Sequence, residues 1–446
     1  MCWNPTYIIL IILSTIIDYS AGIMMGKTED KQKRKKYLVL SLVSNLGLLF
    51  LFKYFNFFNG SIKVLFDSLH ITYHIPGLSL MLPVGISFYT FQTLSYTIDV
   101  YRGVKKPEKH FGIFALYVSF FPQLVAGPIE RSTRLLPQFF EKHKFDYVRI
   151  TDGLKLILWG LFKKVVIADR ISYLVNYVYN DVYSYQGLPL IIATVLFAFQ
   201  IYCDFSGYSD IAIGTAKIMG FDLMDNFNRP YFSKSISEFW KRWHISLSTW
   251  FRDYVYIPLG GNRVAMWRVY INIFIVFLVS GLWHGANWTF VAWGALHGFY
   301  LLFSLWTQAI RKKILRFSRL DQYPLLYKYF RVGITFSLVC FSWIFFRANN
   351  ITDALYVVSN MFKGLLNPEM IGFILRGFDL GFRSFLLGLV AIIFMEYIHH
   401  IQRHRSIRHL LSSKPAWIRV SVYTTLVVSI VFLGNFSANQ FIYFQF

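Results

Sequence analysis

The sequence is poor in charged residues and in cysteine, and each shortage excludes a class of protein. Charged residues are 15% of the 446 residues, whereas a soluble globular protein carries roughly 25%. So few charges cannot cover a soluble surface, and a hydrophobic content of 55% excludes a disordered chain. The three cysteines are odd in number and widely spaced, so they predict neither a disulfide framework nor a CxxC metal pair. The composition indicates an integral membrane protein.

Acidic residues are also scarce, and the imbalance predicts how the chain lies in its membrane. Lys and Arg number 45 against 23 Asp and Glu, a net charge of +22. A nucleic-acid-binding protein is not this apolar, so we expect no nucleic-acid partner. In membrane proteins, basic residues collect in cytoplasmic loops beside anionic lipid. We therefore place the basic segments in the cytoplasm and both chain ends outside; the segments are 27–36, 102–109, 311–319 and 403–419.

Long apolar runs predict an all-α fold of about ten or eleven spans, because a span needs about 20 apolar residues. No cleavable signal peptide precedes the first run, so that run is predicted to be a span. The candidates are 6–26, 38–58, 79–100, 111–128, 153–180, 188–220, 269–283, 286–309, 330–347, 383–400 and 418–438. We expect one membrane domain, 1–446. Residues 226–263 are too polar for a span and too aromatic for a free loop, which predicts two interfacial or re-entrant amphipathic helices.

The strongest candidate for chemistry is His284. Polar groups inside apolar spans are costly, so each is a functional hypothesis by default. His284 interrupts a run of apolar residues long enough for two spans and has Gly281 and Gly285 beside it. An imidazole held there can act as a general base near neutral pH. The alternative is a packing histidine bonded to a backbone carbonyl.

The other histidines are weaker candidates. His244 lies among basic and aromatic residues, where a catalytic role and an interfacial role are equally plausible from the residues alone. His297 is expected to be a satisfied core histidine. His400 and His404 have metal-ligand spacing, but interleaved arginines disfavour a cation, so we predict no metal site and a basic cytoplasmic helix end.

Two acidic residues also adjoin an apolar run. Asp204 and Asp210 need partners there, and we favour buried ion pairs that fix helices over the wall of a substrate channel. The sequence contains no phosphate-binding Gly-rich loop, HExxH or GxSxG motif, so soluble hydrolase or nucleotide-binding chemistry is unsupported.

Seven strings in this chain resemble the membrane-bound O-acyltransferase family, above all its bacterial alginate and peptidoglycan O-acetyltransferase membrane subunits. The resemblance is strongest over residues 82–300, and the terminal FIYFQF also resembles that branch. Members of the branch usually begin with one more apolar helix, so we expect a short variant or a late start. The strings are LPVGISFYTFQTLSYTIDVYRG (82–103), FPQLVAGPIER (121–131), GLFKKVVIADR (160–170), YCDFSGYSDIAIG (202–214), NFNRPY (226–231), EFWKRWHISLSTWFRDYVYIPLGGNR (238–263) and GLWHGANW (281–288).

This resemblance implies a multi-helix membrane enzyme of the bacterial plasma membrane, built around a central tunnel and surrounded by lipid. It implies a cytoplasmic acyl donor, commonly acetyl-CoA, with no bound cofactor. It also implies an extracytoplasmic polysaccharide or peptidoglycan acceptor, reached through a partner acyltransferase. The family's catalytic histidine matches His284, and its second histidine matches His244.

The residues allow a mechanism to be assigned as a hypothesis. His284 would take the acceptor proton, while His244 or Asn287 would orient the acyl group or stabilise the oxyanion. We expect a fixed tunnel from the cytoplasm past 226–263 to His284 near mid-membrane, with Gly281 and Gly285 leaving room for a short acyl group. The remaining substrate-binding candidates are Lys241, Arg242 and Arg252 for the donor phosphates, and Trp240, Trp243 and Trp283 for the tunnel wall.

Three alternatives remain open from the sequence. D-Alanyl transfer to teichoic acid from a carrier protein is the nearest. A polymer-precursor transporter would need paired discontinuous helices in two halves, and we find no such repeat. A purely structural membrane partner would need no intramembrane imidazole.

Overall fold

The computed structural model describes residues 7–319, 322–378, 381–403, 407–436 and 441–442. These residues form helices and turns without a strand, which confirms the all-α prediction. In chain order the helices are α1 (Ile8–Gly26), α2 (Lys31–Ser68), α3 (Ile86–Tyr101), α4 (Phe111–Ser119), α5 (Ser132–Gln138), α6 (Tyr147–Leu161), α7 (Asp169–Tyr179), α8 (Leu188–Met219), α9 (Ile236–Trp240), α10 (Ile245–Phe251), α11 (Met266–His284), α12 (Trp288–Trp306), α13 (Gln308–Phe317), α14 (Pro324–Arg347), α15 (Ile351–Asn360), α16 (Pro368–Leu375), α17 (Phe382–Ile401), α18 (Ile407–Ser412) and α19 (Ala416–Leu433).

Among the described residues, eight helices are long and apolar enough to cross a membrane: α1, α2, α8, α11, α12, α14, α17 and α19. Each matches one of the predicted spans. Three other predicted spans are not single long helices. Residues 79–85 are not helical, so α3 begins only at Ile86, and residues 120–127 form turns after α4 ends. The predicted span 153–180 is divided between α6 and α7 by a π-helical segment, Phe162–Ala168.

Two other segments also wind as π-helix, and both lie near the histidines described below. Phe50–Tyr54 interrupts α2, and Arg252–Tyr256 follows α10. A π-helical turn inserts an extra residue into an α-helix and frequently marks a functional site.

The long helix α8 passes through the centre of the fold. Residues of α3 and α8 belong to both of the two hydrophobic clusters, so these two helices join the clusters together. Glycines let α6 and α8 pack backbone against backbone: a Cβ built on Gly153 would lie 2.7 Å from the Gly214 oxygen, and one on Gly160 would lie 2.6 Å from the Gly207 oxygen. Small residues at such crossings are typical of membrane helix pairs.

Ion pairs fix the π-helical segment between α6 and α7 against α8. Lys163 Nζ lies 2.8 Å from Asp210, and Lys164 Nζ lies 2.6 Å from Asp204 and 2.8 Å from Asp169. The backbone N–H of Ile442 also donates to Asp204 at 2.8 Å. These contacts confirm the structural interpretation of Asp204 and Asp210.

Candidate active site

His284 is the last residue of α11, and Trp288 begins α12. The prediction that two helices meet at this histidine is therefore confirmed. The 19 residues of α11 span about 28 Å at 1.5 Å per residue, close to the roughly 30 Å of a bilayer core. His284 therefore lies at the opposite end of α11 from Met266, and its expected position near mid-membrane stays a prediction.

The turn after His284 is held by Asn287. Its side-chain oxygen accepts a hydrogen bond from the Thr289 N–H at 3.0 Å and so caps α12, while its amide nitrogen donates to the Asn349 carbonyl at 3.1 Å. Both polar atoms of the Asn287 side chain are thus hydrogen-bonded to backbone groups. A role for Asn287 in orienting the acyl group stays an untested prediction.

The expectation that Gly281 and Gly285 leave room for an acyl chain is wrong. A Cβ on Gly281 would collide with the Phe290 carbonyl, and a Cβ on Gly285 would collide with the Phe290 ring. Both glycines are instead needed because α12 packs closely against α11. Gly294 lies opposite Gly281 at the same crossing, 3.3 Å from a Cβ built there.

His244 lies next to His284 although it belongs to the segment before α10. Their ring centroids are 6.5 Å apart and the rings are inclined at 60°. Both side chains are buried, with 0% and 3% of their surface exposed. The expected proximity of the two histidines is therefore confirmed.

Aromatic side chains enclose the two imidazoles. Trp283 lies between them and the start of α3, with its ring centroid 6.0 Å from His244 and 5.3 Å from Phe88. The other rings within about 5 Å are Trp293 and Phe346 beside His284 and Phe205 beside His244. Such a wall excludes bulk water from the space around the two imidazoles.

Asn226 fixes the orientation of His244. Its Oδ1 atom accepts hydrogen bonds from the Ser246 backbone N–H at 3.3 Å and from the Ser246 hydroxyl at 2.9 Å, and it lies 3.0 Å from His244 Nδ1. Because a backbone N–H can only donate, the shared atom is the amide oxygen, and the neutral ring carries its proton on Nδ1. His244 then presents Nε2 as a hydrogen-bond acceptor.

The backbone of His244 is also unusual. Its φ of 43° and ψ of 55° place it in the left-handed region, which residues other than glycine rarely occupy. Residues held in this way cluster at functional sites, since surrounding contacts must compensate a cost of order 1–3 kcal/mol. The Asn226 carbonyl supplies one such contact by accepting from the Ile245 N–H at 2.9 Å.

A lysine from α2 reaches the same place. Lys53 Nζ donates to the backbone carbonyls of Trp283 at 2.7 Å and His284 at 3.1 Å. The neighbouring Tyr54 hydroxyl donates to the Leu282 carbonyl at 3.0 Å. Two consecutive residues of the π-helical segment therefore bind three consecutive carbonyls at the end of α11.

Two cavities adjoin these residues. A cavity of about 70 Å³ contacts His284, Trp283 and Lys53, and its remaining wall is residues 82–88 and Val125. A second cavity of about 200 Å³ lies beside the 226–263 segment and is lined by residues that include Trp240, Phe251 and Arg252. They share no described lining residue, so the expected tunnel from this segment to His284 stays a prediction.

The other predicted substrate-binding residues lie on α9 and α10 and around them. Trp243 is 1% exposed and packs among aromatic rings. Arg242 pairs with Glu238 at 2.7 Å, and Arg252 pairs with Asp253 at 2.8 Å with its side chain 60% exposed. Lys241 is exposed. Lys241 and Arg252 are thus exposed and Arg242 is partly buried, and the role of these three cations toward the donor phosphates stays a prediction.

The two short helices predicted in 226–263 are confirmed as α9 and α10, but they are buried more deeply than an interfacial segment. Ile236, Phe239, Leu247, Trp250 and Phe251 all belong to the large hydrophobic cluster. This packing explains how a polar segment can bring His244 to a membrane-spanning helix.

His297 and His399 are held by hydrogen bonds inside the helix bundle. His297 Nδ1 accepts from the Trp240 indole N–H at 3.2 Å, and its Nε2 lies 2.9 Å from the Ser342 hydroxyl, which confirms the satisfied core histidine. His399 lies 3.4 Å from both the Tyr202 hydroxyl and Glu396. The His404 half of the His400 and His404 pair lies outside the described residues.

Comparison with known proteins identifies the family. The model of the membrane-bound O-acyltransferase family matches residues 110–346. A peptidoglycan O-acetyltransferase of Helicobacter pylori is 33% identical, covering 100% of this chain and 89% of that protein. A probable alginate O-acetylase of Pseudomonas putida is 34% identical, covering 100% and 91%. A teichoic acid D-alanyltransferase of Streptococcus thermophilus is 33% identical over 50% of this chain and 57% of that protein.

This chain belongs to the membrane-bound O-acyltransferase family. It is therefore a multi-pass membrane acyltransferase, and the resemblance found in the sequence is confirmed.

Two residues of this acyltransferase's histidine site were not found from the sequence. Lys53 is a charged residue inside the apolar run 38–58. Because burying a charge in an apolar span is costly, its position could have marked it as a candidate. Asn226 stands in the NFNRPY string, but nothing local indicates that its amide reaches an imidazole 18 positions away.

Proposed function

We propose that this acyltransferase moves an acetyl group from a cytoplasmic donor, acetyl-CoA, to a hydroxyl of an extracytoplasmic polysaccharide or peptidoglycan, through a partner protein. The observation that carries the proposal is the buried pair of His284 and His244 at the junction of α11 and α12. The relatives that span this whole chain are named for peptidoglycan and alginate O-acetylation, which supports acetyl as the group and a cell-surface polymer as the acceptor.

His284 is the general base of the proposed reaction. Its imidazole takes the proton of the acceptor hydroxyl, and the oxygen attacks the thioester carbonyl carbon. The new C–O bond forms, the C–S bond of the tetrahedral intermediate breaks, and the leaving thiolate takes up the proton. The aromatic wall of Trp283, Trp293 and Phe346 excludes the water that would otherwise hydrolyse the thioester.

His244 orients the acceptor in this scheme. With its proton on Nδ1, the neutral ring has Nε2 as an acceptor, which suits it to receive a hydrogen bond from a hydroxyl. It does not suit an oxyanion, which needs a donor. This assignment replaces the expectation from the sequence, in which His244 would orient the acyl group or stabilise the oxyanion.

The far-end position of His284 supports transfer across the membrane. Basic segments precede α11 and follow α12, and such segments are cytoplasmic by the positive-inside rule. A histidine at the opposite end of both helices lies where an external acceptor can approach. The small cavity formed with residues 82–88, at the start of α3 and just before it, is on the same side.

A second candidate, D-alanyl transfer to teichoic acid, is favoured by the match to a D-alanyltransferase over half of the chain. The donor would then be a D-alanyl group on a carrier protein. The chemistry at His284 would be the same, so the histidine site alone does not separate the two donors.

Inverted membrane vesicles test the proposal, since their cytoplasmic face is outside. Labelled acetyl-CoA, which does not cross a bilayer, is supplied in the medium, with a glycan fragment and the partner protein enclosed. We expect acetyl esters on the enclosed glycan. Absence of acetyl label together with D-alanyl esters when a D-alanyl carrier protein is supplied, or labelling that occurs only when acetyl-CoA is enclosed with the glycan, would contradict the proposal.

A further inference from the structure

A lysine in the middle of α2 lies within an otherwise apolar stretch of the helix. Lys53 lies in the π-helical segment Phe50–Tyr54, within a helix that otherwise meets the criteria for a membrane span. A cation in such a place is costly unless it finds compensating groups. Its compensation is two backbone carbonyls of another helix, those of Trp283 and His284.

Those carbonyls belong to the last turn of α11, which has no further turn to satisfy them. The final carbonyls of an α-helix lack intrahelical partners and carry the negative end of the helix dipole. A lysine ammonium offers three N–H donors and a positive charge, so it matches both needs. Tyr54 adds a third donor at the Leu282 carbonyl, 3.0 Å away.

We propose that Lys53 is a positioning residue for the catalytic imidazole of His284. By holding the carbonyls of residues 283 and 284, it fixes the backbone from which the His284 side chain projects, and hence the 6.5 Å relation to His244. Lys53 also lines the cavity that His284 contacts. This inference rests on the proposed function, because it assumes that His284 performs the chemistry.

The positioning role predicts a kinetic signature that a stabilising role does not. Misplacing a reacting group by about 1 Å costs roughly 100-fold in rate without any change in donor contacts. Removing the ammonium should therefore lower kcat and leave KM for the acyl donor unchanged. A lysine that only stabilised the fold would change the amount of folded protein and not the kcat of the folded fraction.

Four variants test this in purified, detergent-solubilised full-length protein. Lys53→Met keeps the length of the side chain and removes its donors, whereas Lys53→Arg keeps donors and charge. Tyr54→Phe removes only the neighbouring hydrogen bond, and Lys63→Met is the matched control, since Lys63 is exposed on the same helix.

For Lys53→Met we expect kcat to fall about 100-fold with KM within about twofold of wild type. The kcat of Lys53→Arg should be at least about tenfold higher than that of Lys53→Met. The kcat of Tyr54→Phe should be less than about tenfold below wild type. Lys63→Met should be indistinguishable from wild type. If Lys53→Met fails to fold, Lys53→Gln is measured in its place, and its kcat must fall at least about tenfold.

The inference is overturned if folded Lys53→Met or Lys53→Gln retains wild-type kcat, or if Lys53→Arg is as impaired as Lys53→Met. A parallel His284→Ala variant separates this result from failure of the proposed function. Loss of activity in His284→Ala together with normal kcat in Lys53→Met removes only the role of Lys53. Activity in His284→Ala removes the catalytic assignment on which that role depends.

Discussion

The imidazoles of His244 and His284 have ring centroids 6.5 Å apart, although one precedes a short buried helix and the other ends a long apolar one. Neither helix alone would bring a histidine into this position. The pair exists because the 226–263 segment packs into the helix bundle, where Asn226 accepts hydrogen bonds from the backbone N–H groups of Ile245 and Ser246.

Asn226→Ala should impair catalysis by releasing His244. The substitution removes the acceptor for His244 Nδ1 and for the Ser246 N–H and hydroxyl. Leaving such buried donors unsatisfied costs about 1–3 kcal/mol each, and a ring with a free tautomer loses its fixed Nε2 acceptor. We expect acyl transfer to fall by about tenfold or more, measured as acetyl ester formed per amount of folded protein.

Asn228→Ala is the matched control for that measurement. Asn228 is an exposed amide in the same string, and its side-chain oxygen bonds only locally, to the Arg229 side chain. It should retain wild-type activity. Equal activities of the Asn226 and Asn228 variants would show that the amide does not orient the imidazole.

A buried carboxyl before α5 should make stability depend on pH. Glu130 is 0% exposed and accepts a hydrogen bond from the Met224 N–H, and burial raises its pKa from 4.5 to about 7. The folded state then binds a proton more tightly than the unfolded state. Stability is full below the unfolded pKa of about 4.5 and decreases as the pH rises to about 7, where the folded protein also loses the proton.

Glu130→Gln should flatten this dependence, because the amide keeps an acceptor oxygen and cannot ionise. The measurement is the Tm in detergent between about pH 5 and pH 8 for both proteins. Glu141→Gln is the control, since Glu141 is exposed on the surface that follows α5. If the Tm of Glu130→Gln still decreases with pH as steeply as that of wild type, another group causes the pH dependence.

The sidedness of the chain can be tested by cysteine labelling in a background without the three native cysteines. Lys33→Cys and Leu315→Cys should be protected from an impermeant maleimide in intact cells, because their basic segments are predicted to be cytoplasmic. His70→Cys, at the opposite end of α2, should be labelled, as should a cysteine at position 446. Labelling of position 33 or 315 from outside would reverse the topology.

The sequence was sufficient for features that depend on composition and periodicity. The eight long spans, the helix junction at His284 and the satisfied role of His297 all follow from apolar length and the cost of burying polar groups. Three short or divided segments escaped the same reasoning, since a window of apolar residues does not reveal that 79–85 is not helical or that 120–127 forms turns.

What the sequence could not supply is contact between distant segments. Nothing near residue 53 indicates that its ammonium reaches carbonyls at 283 and 284, and nothing near Gly285 indicates that Phe290 occupies the space beside it. From the sequence, Gly281 and Gly285 were expected to leave open space beside His284, whereas they allow α11 and α12 to pack closely. Such relations are set by tertiary packing, which local patterns do not encode.

The central claim is that the imidazole of His284 performs acyl transfer, and the direct measurement is the acetyl ester content formed by His284→Ala. The comparison is with His74→Ala, an exposed histidine, at equal amounts of inserted protein. We expect His74→Ala to equal wild type and His284→Ala to fall to the background of cells that lack the protein. Acetylation by His284→Ala close to the wild-type level would contradict the account.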